Sequence, residues 1–259
     1  MTAIFHNDIP YNYAIVGGGC FGASTALALV RKWPDARIIW FEGTHTYAAS
    51  TDINKIVRPN YRDKDYVAFA ENSLKTFQTD ALLSQYYHHT GWVQLVGKEA
   101  HENTVEGSND RIISVEEMQQ RVGSRDKPTL GIGEKLRLSE NIGYVDFNLA
   151  IEAVAKEASR LGVEREKKDV SRLIVDGGVC QGVEIGNYNV AAKDIIITAG
   201  AWTPALLERS QIDFPIDFFI VSAVGVATMP LEEKEFDELK FMPILVTEKG
   251  CNPIDQILF

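Results

Sequence analysis

Cysteine is scarce in this sequence, which limits the covalent and metal chemistry that it can support. The 259 residues contain three cysteines, Cys20, Cys180 and Cys251, which are widely spaced. Because there is no CxxC pair and the number is odd, neither a zinc knuckle nor a disulfide framework is indicated. We therefore expect no metal site and a reducing, intracellular compartment.

Basic residues are also few. Lysine and arginine total 26 against 36 aspartate and glutamate residues, which gives a formal net charge of −10. Such a chain has little positive charge to neutralise phosphates, so nucleic acids and anionic membranes are disfavoured as partners. One local basic cluster, Arg165, Lys167 and Lys168, is interleaved with acidic neighbours. We interpret it as a solvated helix end and turn.

Long hydrophobic runs and targeting signals are missing as well. The longest apolar stretch, residues 218–229, is about half of the ~20 residues needed to span a bilayer. The first residues carry no basic region before apolar ones, and the final Ile257, Leu258 and Phe259 do not form an SKL-type peroxisomal signal. We expect a cytoplasmic protein without a membrane partner.

What the sequence does contain is a strand–helix–strand pattern near its beginning. Residues 13–16 form a short apolar run, residues 23–32 are rich in alanine and leucine, and residues 37–42 form a second apolar run. A strand, a helix and a second strand within about thirty residues predict a βαβ unit with parallel strands.

Three glycines, Gly17, Gly19 and Gly22, form a G-x-G-x-x-G turn between the first strand and the helix. They allow a tight bend, the approach of a pyrophosphate and close helix–strand packing, and the helix start favours negative charge. Glu42, which ends the second strand, can accept hydrogen bonds from both ribose hydroxyls and would repel a 2′-phosphate. The pattern predicts an adenine dinucleotide site and disfavours NADP, but it does not separate NAD from FAD.

Residues 49–61, ASTDINKIVRPNY, distinguish these two cofactors because they carry a family pattern. A small-residue turn is followed by a basic-Ile-Ile/Val-Arg segment and by a tyrosine three residues later. With these features the chain resembles the FAD-dependent amine and amino-acid oxidases of the D-amino-acid oxidase superfamily, within its sarcosine, fructosyl-amine and saccharopine oxidase branch. Patches at 90–96, 141–163 and 194–207 continue the likeness.

The resemblance implies FAD as cofactor and a set of site residues. The implied cofactor-binding residues are Gly17, Gly19, Cys20, Phe21, Gly22, Glu42, Ser50, Thr51, Asn54, Lys55, Val170, Gly200 and Trp202. Lys55 and Arg58 are the implied catalytic residues, facing the flavin and the substrate carboxylate. A cation near the flavin stabilises the negative charge that develops on reduction, and an arginine can clamp a carboxylate. From spacing alone, both could instead be solvated charges, and Cys20 could be a small buried filler.

The fold implied is α/β in two parts. We assign residues 1–80 and 142–210 to a Rossmann-like FAD-binding domain with a parallel sheet. Residues 81–141 and 211–259 form a smaller, mixed-sheet substrate domain, which is expected to be incomplete because family members run past the end of this chain. Elements expected along the chain are helices at 64–87, 115–121 and 149–161, a strand at 91–96, a meander over 169–185 and a strand at 194–198.

The implied reaction oxidises the C–N bond of a secondary amine or N-substituted amino acid, a small-molecule substrate, and O₂ then reoxidises the flavin to give H₂O₂. Two alternatives remain open: a truncated, non-catalytic dinucleotide-binding relative, and an NAD-dependent dehydrogenase supported by the turn and Glu42 alone. Relatives are peroxisomal, although this chain shows no such signal. Residues 218–229, which the resemblance places in a central strand, would lack later neighbours, so self-association through them is expected.

Overall fold

A computed structural model of the chain describes most of its residues and divides them into two compact units. The described residues are 4–44, 48–51, 53, 55–61, 63–96, 110–122, 134–223, 225–240, 242–247 and 255–257. Unit 1 comprises Met1–Ile53 and Phe147–Gly225, and unit 2 comprises Asn54–Asp146 and Val226–Phe259. The expected domain boundaries at residues 80, 141 and 210 differ from these unit boundaries, and the assignment of FAD and substrate binding to domains stays a prediction.

The helices and strands alternate along the chain. The strands are β1 (Tyr11–Val16), β2 (Ile38–Phe41), β3 (Ile56–Val57), β4 (Tyr87–His89), β5 (Trp92–Val96), β6 (Asp110–Ile113), β7 (Lys135–Ser139), β8 (Gly143–Val145), β9 (Glu164–Glu166), β10 (Arg172–Asp176), β11 (Val179–Ile185), β12 (Tyr188–Ile197), β13 (Ile244–Thr247) and β14 (Asp255–Ile257). The α-helices are α1 (Cys20–Lys32), α2 (Lys64–Thr79), α3 (Val115–Val122), α4 (Phe147–Arg160), α5 (Thr203–Arg209) and α6 (Glu233–Leu239). Single 3₁₀ turns occur at Ser84–Tyr86, Gly200–Trp202 and Ile216–Phe218.

Unit 1 is built on a six-stranded sheet in the order β10-β11-β12-β1-β2-β9. The strands β12, β1, β2 and β9 run parallel, whereas β10, β11 and β12 form the antiparallel meander. All four residues of β2 are buried, because both faces of the sheet are covered there, and Ile15 of β1 is buried as well. The predicted α/β fold with a parallel sheet is confirmed.

The helix α1 packs against β1, β2 and α4. It buries Ala23, Ala26, Leu27 and Val30, whose spacing of one, three or four residues places them on one helical face. The buried residues of α4 are alanines too, and their small side chains let the two helices approach closely. The helices expected at 23–32 and 149–161 are therefore confirmed, whereas the parallel strand that follows α4, β9, was not predicted.

Unit 2 contains two smaller sheets. The five-stranded sheet has the order β14-β13-β5-β7-β6, in which β13 and β5 are parallel and the other neighbours antiparallel. The three-stranded sheet, β3-β8-β4, is antiparallel. Val93, Ile113, Leu136 and Leu138 form a buried cluster on the larger sheet, which is the mixed sheet that the sequence predicted.

Some local predictions differ from the structure. The helix expected over 64–87 ends at Thr79, because the Asp80 carboxylate accepts hydrogen bonds from the next backbone N–H groups and fixes a turn. The polar region 101–141 contains the strands β6 and β7. The described residues of 218–229 form no strand, since a strand requires a neighbour for its backbone hydrogen bonds.

The described part of the chain contains neither a membrane-spanning helix nor a cluster of metal-ligating side chains. Its helices do not combine the length and the apolarity needed to cross a bilayer. In the same residues, no three His, Cys, Asp or Glu side chains gather as the ligands of a metal ion would. Cys20 and Cys180 are half-buried free thiols, and Cys251 lies outside the described residues.

Candidate functional site

The turn between β1 and α1 accepts only glycine at its first position. Gly17 has a φ of +125°, which L side chains rarely adopt, and a Cβ there would overlap the carbonyl oxygen of Thr198. Thr198 follows β12, the parallel neighbour of β1, and its backbone N–H donates to the Val16 oxygen at 2.8 Å. The close approach of these two strand ends therefore requires the glycine that the motif supplies.

The third glycine brings the start of α1 onto the same bend. A Cβ on Gly22 would overlap the carbonyl oxygen of Gly17. That oxygen accepts hydrogen bonds from the indole Nε1 of Trp40 at 2.7 Å and from Oγ1 of Thr198 at 3.1 Å. Because these donors fix the Gly17 carbonyl inside the unit, the turn is preformed. Trp40 and Thr198 are supports that the glycine pattern alone does not reveal.

The middle glycine and the helix start face Ser50. The backbone N–H of Cys20 donates to Ser50 Oγ at 3.0 Å, and a Cβ on Gly19 would lie 2.9 Å from that oxygen. The helix α1 has no side-chain N-cap and no acidic residue in its first turn. A helix start whose flanking residue Gly19 lacks a Cβ atom, and whose first backbone N–H binds an oxygen, fits a pyrophosphate, whose charge the helix dipole favours. Cys20 is half-buried rather than the buried filler that the sequence suggested.

Glu42 lies against this turn at the carboxyl end of β2. A Cβ on Gly18 would overlap its side chain, and the Glu42 backbone N–H donates to the Glu166 oxygen at 2.8 Å. Its Oε2 accepts a hydrogen bond from Nε of Arg165 at 3.0 Å and lies 2.7 Å from Nη2 of the same residue. The structure thus brings the predicted ribose carboxylate to the glycine turn.

Arg165 is a residue that sequence reasoning misplaced. It lies on β9 rather than in a solvated helix end and turn, and 13% of its side chain is exposed. Its Nη2 lies 2.8 Å from Oε2 of Glu152 on α4, and its guanidinium lies 5.1 Å from the Trp40 ring centre. The hydrogen bond between Arg165 and Glu152 lowers the pKa of Glu152 and raises the pKa of Arg165. The apolar pattern could not show this strand because its three residues, ERE, are all charged.

The other predicted cofactor-binding residues of unit 1 differ in exposure. Phe21 is 79% and Trp202 45% exposed, so both rings reach solvent. Gly200 begins a 3₁₀ turn with a φ of +53°, and Thr51 is exposed beside Ser50. The Val170 side chain is buried in the core, so that only its backbone is available to a ligand.

Lys55 and Arg58 flank β3 in unit 2. Ile56 pairs with Tyr144 of β8, and the Lys55 carbonyl accepts a hydrogen bond from the Val145 backbone N–H at 2.9 Å. The backbone of the segment is therefore fixed by a sheet, and the Lys55 residue is half-buried. Asn54 lies outside the described residues.

The Arg58 guanidinium lies close to two aromatic rings. Its centre is 4.7 Å from the Tyr61 ring and 5.2 Å from the Trp92 ring, and Nη1 donates to the Asn60 carbonyl at 2.7 Å. No carboxylate of the described residues pairs with it. Arg58 is thus a packed, half-buried cation rather than a fully solvated one, and it retains N–H groups for an anion.

His88 and His89, interpreted from the sequence as a solvated loop, lie on β4 instead. Nε2 of His88 is 2.8 Å from Oδ2 of Asp146, and the ring stacks on Tyr144 with centroids 4.6 Å apart. Burial raises the pKa of Tyr144. Spacing could not reveal the pair, because His88 and Asp146 are 58 residues apart in sequence.

Comparison with known proteins agrees with this geometry. A family model described as FAD dependent oxidoreductase (DAO) matches residues 12–251. The L-saccharopine oxidase of Schizosaccharomyces pombe is 26% identical over 263 residues, which cover 89% of this chain and 59% of the relative. The peroxisomal sarcosine oxidase of Homo sapiens is 26% identical over 218 residues, which cover 78% of this chain and 53% of the relative. A crystal structure of a thermally stable fructosyl peptide oxidase mutant is similar with a TM-score of 0.73 at 22% identity, covering 92% of this chain and 59% of that one.

The family match and the two curated relatives confirm the resemblance inferred from residues 49–61, including its likeness to saccharopine and sarcosine oxidases. The fructosyl peptide oxidase structure shows that the fold is shared. The chain spans a little more than half the length of the curated relatives that it matches. The relatives offer no support for an NAD-dependent dehydrogenase or for a non-catalytic dinucleotide-binding protein. Because the family model matches most of the sequence, the chain belongs to the DAO family of FAD-dependent oxidoreductases.

Proposed function

We propose that unit 1 binds FAD by its adenosine and pyrophosphate end. The observation that carries this proposal is the meeting of the glycine turn, Ser50 and Glu42 at the carboxyl ends of the parallel strands β1 and β2. Backbone N–H groups at the start of α1 and the Ser50 hydroxyl would hold the pyrophosphate, and Glu42 the ribose. Further unit 1 residues proposed to bind the cofactor are Cys20, Phe21, Thr51, Val170, Gly200 and Trp202. Asn54 and Lys55, which belong to unit 2, are proposed as cofactor-binding residues separately.

The proposed reaction is oxidation of the C–N bond of a secondary amine or N-substituted amino acid. Bound FAD would supply the acceptor for a hydride from the carbon beside the nitrogen, and the nitrogen would lose its proton as the C=N bond forms. O₂ would receive the two electrons together with two protons as H₂O₂. Water would then hydrolyse the C=N product to an amine and a carbonyl compound. Support comes from family membership and from relatives named saccharopine oxidase and sarcosine oxidase.

Arg58 and Lys55 are the proposed catalytic residues. The rings of Trp92 and Tyr61 restrict the Arg58 guanidinium, so that its remaining N–H groups can clamp a substrate carboxylate with little loss of side-chain entropy. This clamp would orient the C–N bond for oxidation. Lys55 would supply the positive charge that stabilises a reduced flavin.

The test is amine-dependent peroxide formation by the purified chain reconstituted with FAD. Sarcosine, saccharopine and a fructosyl peptide form the substrate panel, because these compounds are named in the descriptions of the similar proteins. We expect one of them to give H₂O₂ in proportion to enzyme. Retained flavin without peroxide from any N-substituted amino acid would contradict the proposed reaction but leave the FAD site standing.

The Arg58→Gln variant tests the carboxylate clamp. We expect about a 10- to 100-fold lower kcat/KM for a carboxylate substrate, because a hydrogen bond to a charged group is lost. For a secondary amine without a carboxylate we expect little change in kcat/KM. Arg121→Gln, which alters an exposed ion pair of α3 in the same unit, is the matched control. Equal losses on both substrates would remove Arg58 from substrate recognition.

Four further assignments complete the proposal. Residues 1–80 and 142–210 would form the FAD-binding domain, and residues 81–141 and 211–259 the substrate domain. O₂ is proposed as the electron acceptor. Self-association is proposed through residues 218–229, where Phe218 is 81%, Ile220 93% and Met229 77% exposed. A cytoplasmic location is proposed from the low cysteine content, although the human relative is peroxisomal.

A further inference from the structure

Arg165 connects three elements of unit 1. It lies on β9, in register with Trp40 of β2, and its guanidinium lies over the Trp40 ring. From there it reaches Glu42 at the end of β2 and Glu152 on α4. The side chain that meets the ribose carboxylate is thus held by a strand, a ring and a helix.

The hydrogen bonds are distributed unevenly over the two carboxylates. Glu152 receives two, one on each oxygen, from Nη1 at 3.1 Å and Nη2 at 2.8 Å. Glu42 is contacted on Oε2 alone, by Nε at 3.0 Å and Nη2 at 2.7 Å. Among the described residues, no donor contacts Oε1 of Glu42. One oxygen is therefore fixed, and the other is left for a ligand.

The charges favour this arrangement. Glu42 is 23% exposed, so its carboxylate has lost much of its hydration, and Glu152 would repel it if Arg165 were absent. A single guanidinium between two carboxylates contacts both, and the three side chains carry one formal negative charge in excess. The surplus negative charge suits ribose hydroxyls and opposes a 2′-phosphate.

We propose that Arg165 is a positioning residue that sets the orientation of the Glu42 carboxylate for the adenosine ribose. This inference rests on the proposed function of unit 1. It assigns no contact between Arg165 and the dinucleotide, because the guanidinium is already occupied by the two carboxylates and the Trp40 ring. Recognition of the ribose by Glu42 therefore depends on a residue 123 positions away in sequence.

The test compares the affinities of ADP and 2′-deoxy-ADP, measured by calorimetry on the full chain. ADP carries the diphosphate and the ribose without the flavin. We expect the wild-type chain to bind ADP about 10-fold or more tightly than 2′-deoxy-ADP, because the 2′-hydroxyl adds a hydrogen bond to a charged group. In Arg165→Met this preference should fall toward one, although Glu42 is unchanged. A general loss of structure would weaken the binding of both ligands equally.

Two variants strengthen the comparison. Arg165→Lys keeps the charge but cannot bridge two carboxylates with the geometry of a guanidinium. We therefore expect a partial loss of the preference for ADP over 2′-deoxy-ADP. This variant replaces Arg165→Met in the test if Arg165→Met does not fold. Arg172→Met, which removes an exposed ion pair with Glu184 on the same sheet, should keep both affinities.

The outcomes separate this inference from the proposed function. A wild-type preference that persists in the folded Arg165 variants would overturn the positioning role while leaving the dinucleotide site in place. Tighter binding of adenosine 2′,5′-bisphosphate than of ADP would also overturn it, because Arg165 would then be a phosphate ligand. Failure of the wild-type chain to bind ADP would contradict the proposed function itself.

Discussion

Two arginines of this protein lie over tryptophan rings at nearly the same distance, yet they have opposite surroundings. Arg165 in unit 1 lies 5.1 Å from Trp40 and pairs with Glu42 and Glu152. Arg58 in unit 2 lies 5.2 Å from Trp92 and donates to a backbone carbonyl. The charge of Arg165 is paired with two carboxylates, whereas no carboxylate among the described residues pairs with Arg58.

The difference shows how surroundings determine what a cation can do. An arginine whose N–H groups are taken by carboxylates cannot bind a further anion without breaking those bonds, so it orders its partners. An arginine that packs against aromatic rings but has no carboxylate partner can use its positive charge and its N–H donors to bind a ligand. We therefore propose a positioning role for Arg165 and substrate recognition by Arg58.

The largest expected contrast is in stability. Arg165→Met leaves two half-buried carboxylates without their cation, and we expect the free energy of unfolding to fall by about 3 kcal/mol. Arg58→Met removes one hydrogen bond and two cation–π contacts, and we expect a loss of about 1.5 kcal/mol. Denaturant unfolding of both variants beside the wild type measures the two values. Equal losses would mean that the two arginines do not differ in the way described.

A smaller effect should appear at acid pH. Arg165 lowers the pKa of Glu152, and a lowered carboxyl pKa contributes stability that is present above the ordinary value and is lost as the pH falls through the folded value. We expect the stability gap between wild type and Arg165→Met to narrow below pH of about 4, the ordinary range of a glutamate. The gap for Arg58→Met should stay constant, because no described carboxylate pairs with Arg58. Denaturant midpoints over a pH series measure both gaps, and a constant gap for Arg165→Met would contradict the charge argument.

The same comparison shows which parts of the molecule a sequence can predict. The glycine turn and Glu42 were predictable because strand, turn, helix and strand are consecutive, and glycine is needed where Cβ atoms would overlap backbone. Lys55 and Arg58 were proposed from a family pattern in consecutive residues, which the sequence shows directly, and their roles stay a prediction.

Arg165 could not be predicted in the same way. Its strand has three charged residues and no apolar alternation, and its partner Glu42 is brought near only by sheet pairing. The pair His88 and Asp146 was missed for the same reason, because its members are distant in sequence. Tertiary contacts between polar residues leave no periodic signal, so they become visible only in the folded chain.

The central claim, that unit 1 binds FAD with Glu42 on the ribose, is tested most directly by titrating FAD into the wild-type chain and into Glu42→Gln. Glu157→Gln, which alters the Arg160 ion pair on α4, is the matched control. We predict saturable binding by the wild type and the control, and an affinity about 10-fold weaker for Glu42→Gln, since a charged hydrogen-bond acceptor is lost. No FAD binding by the wild type, or equal affinity of Glu42→Gln and wild type, would contradict the claim.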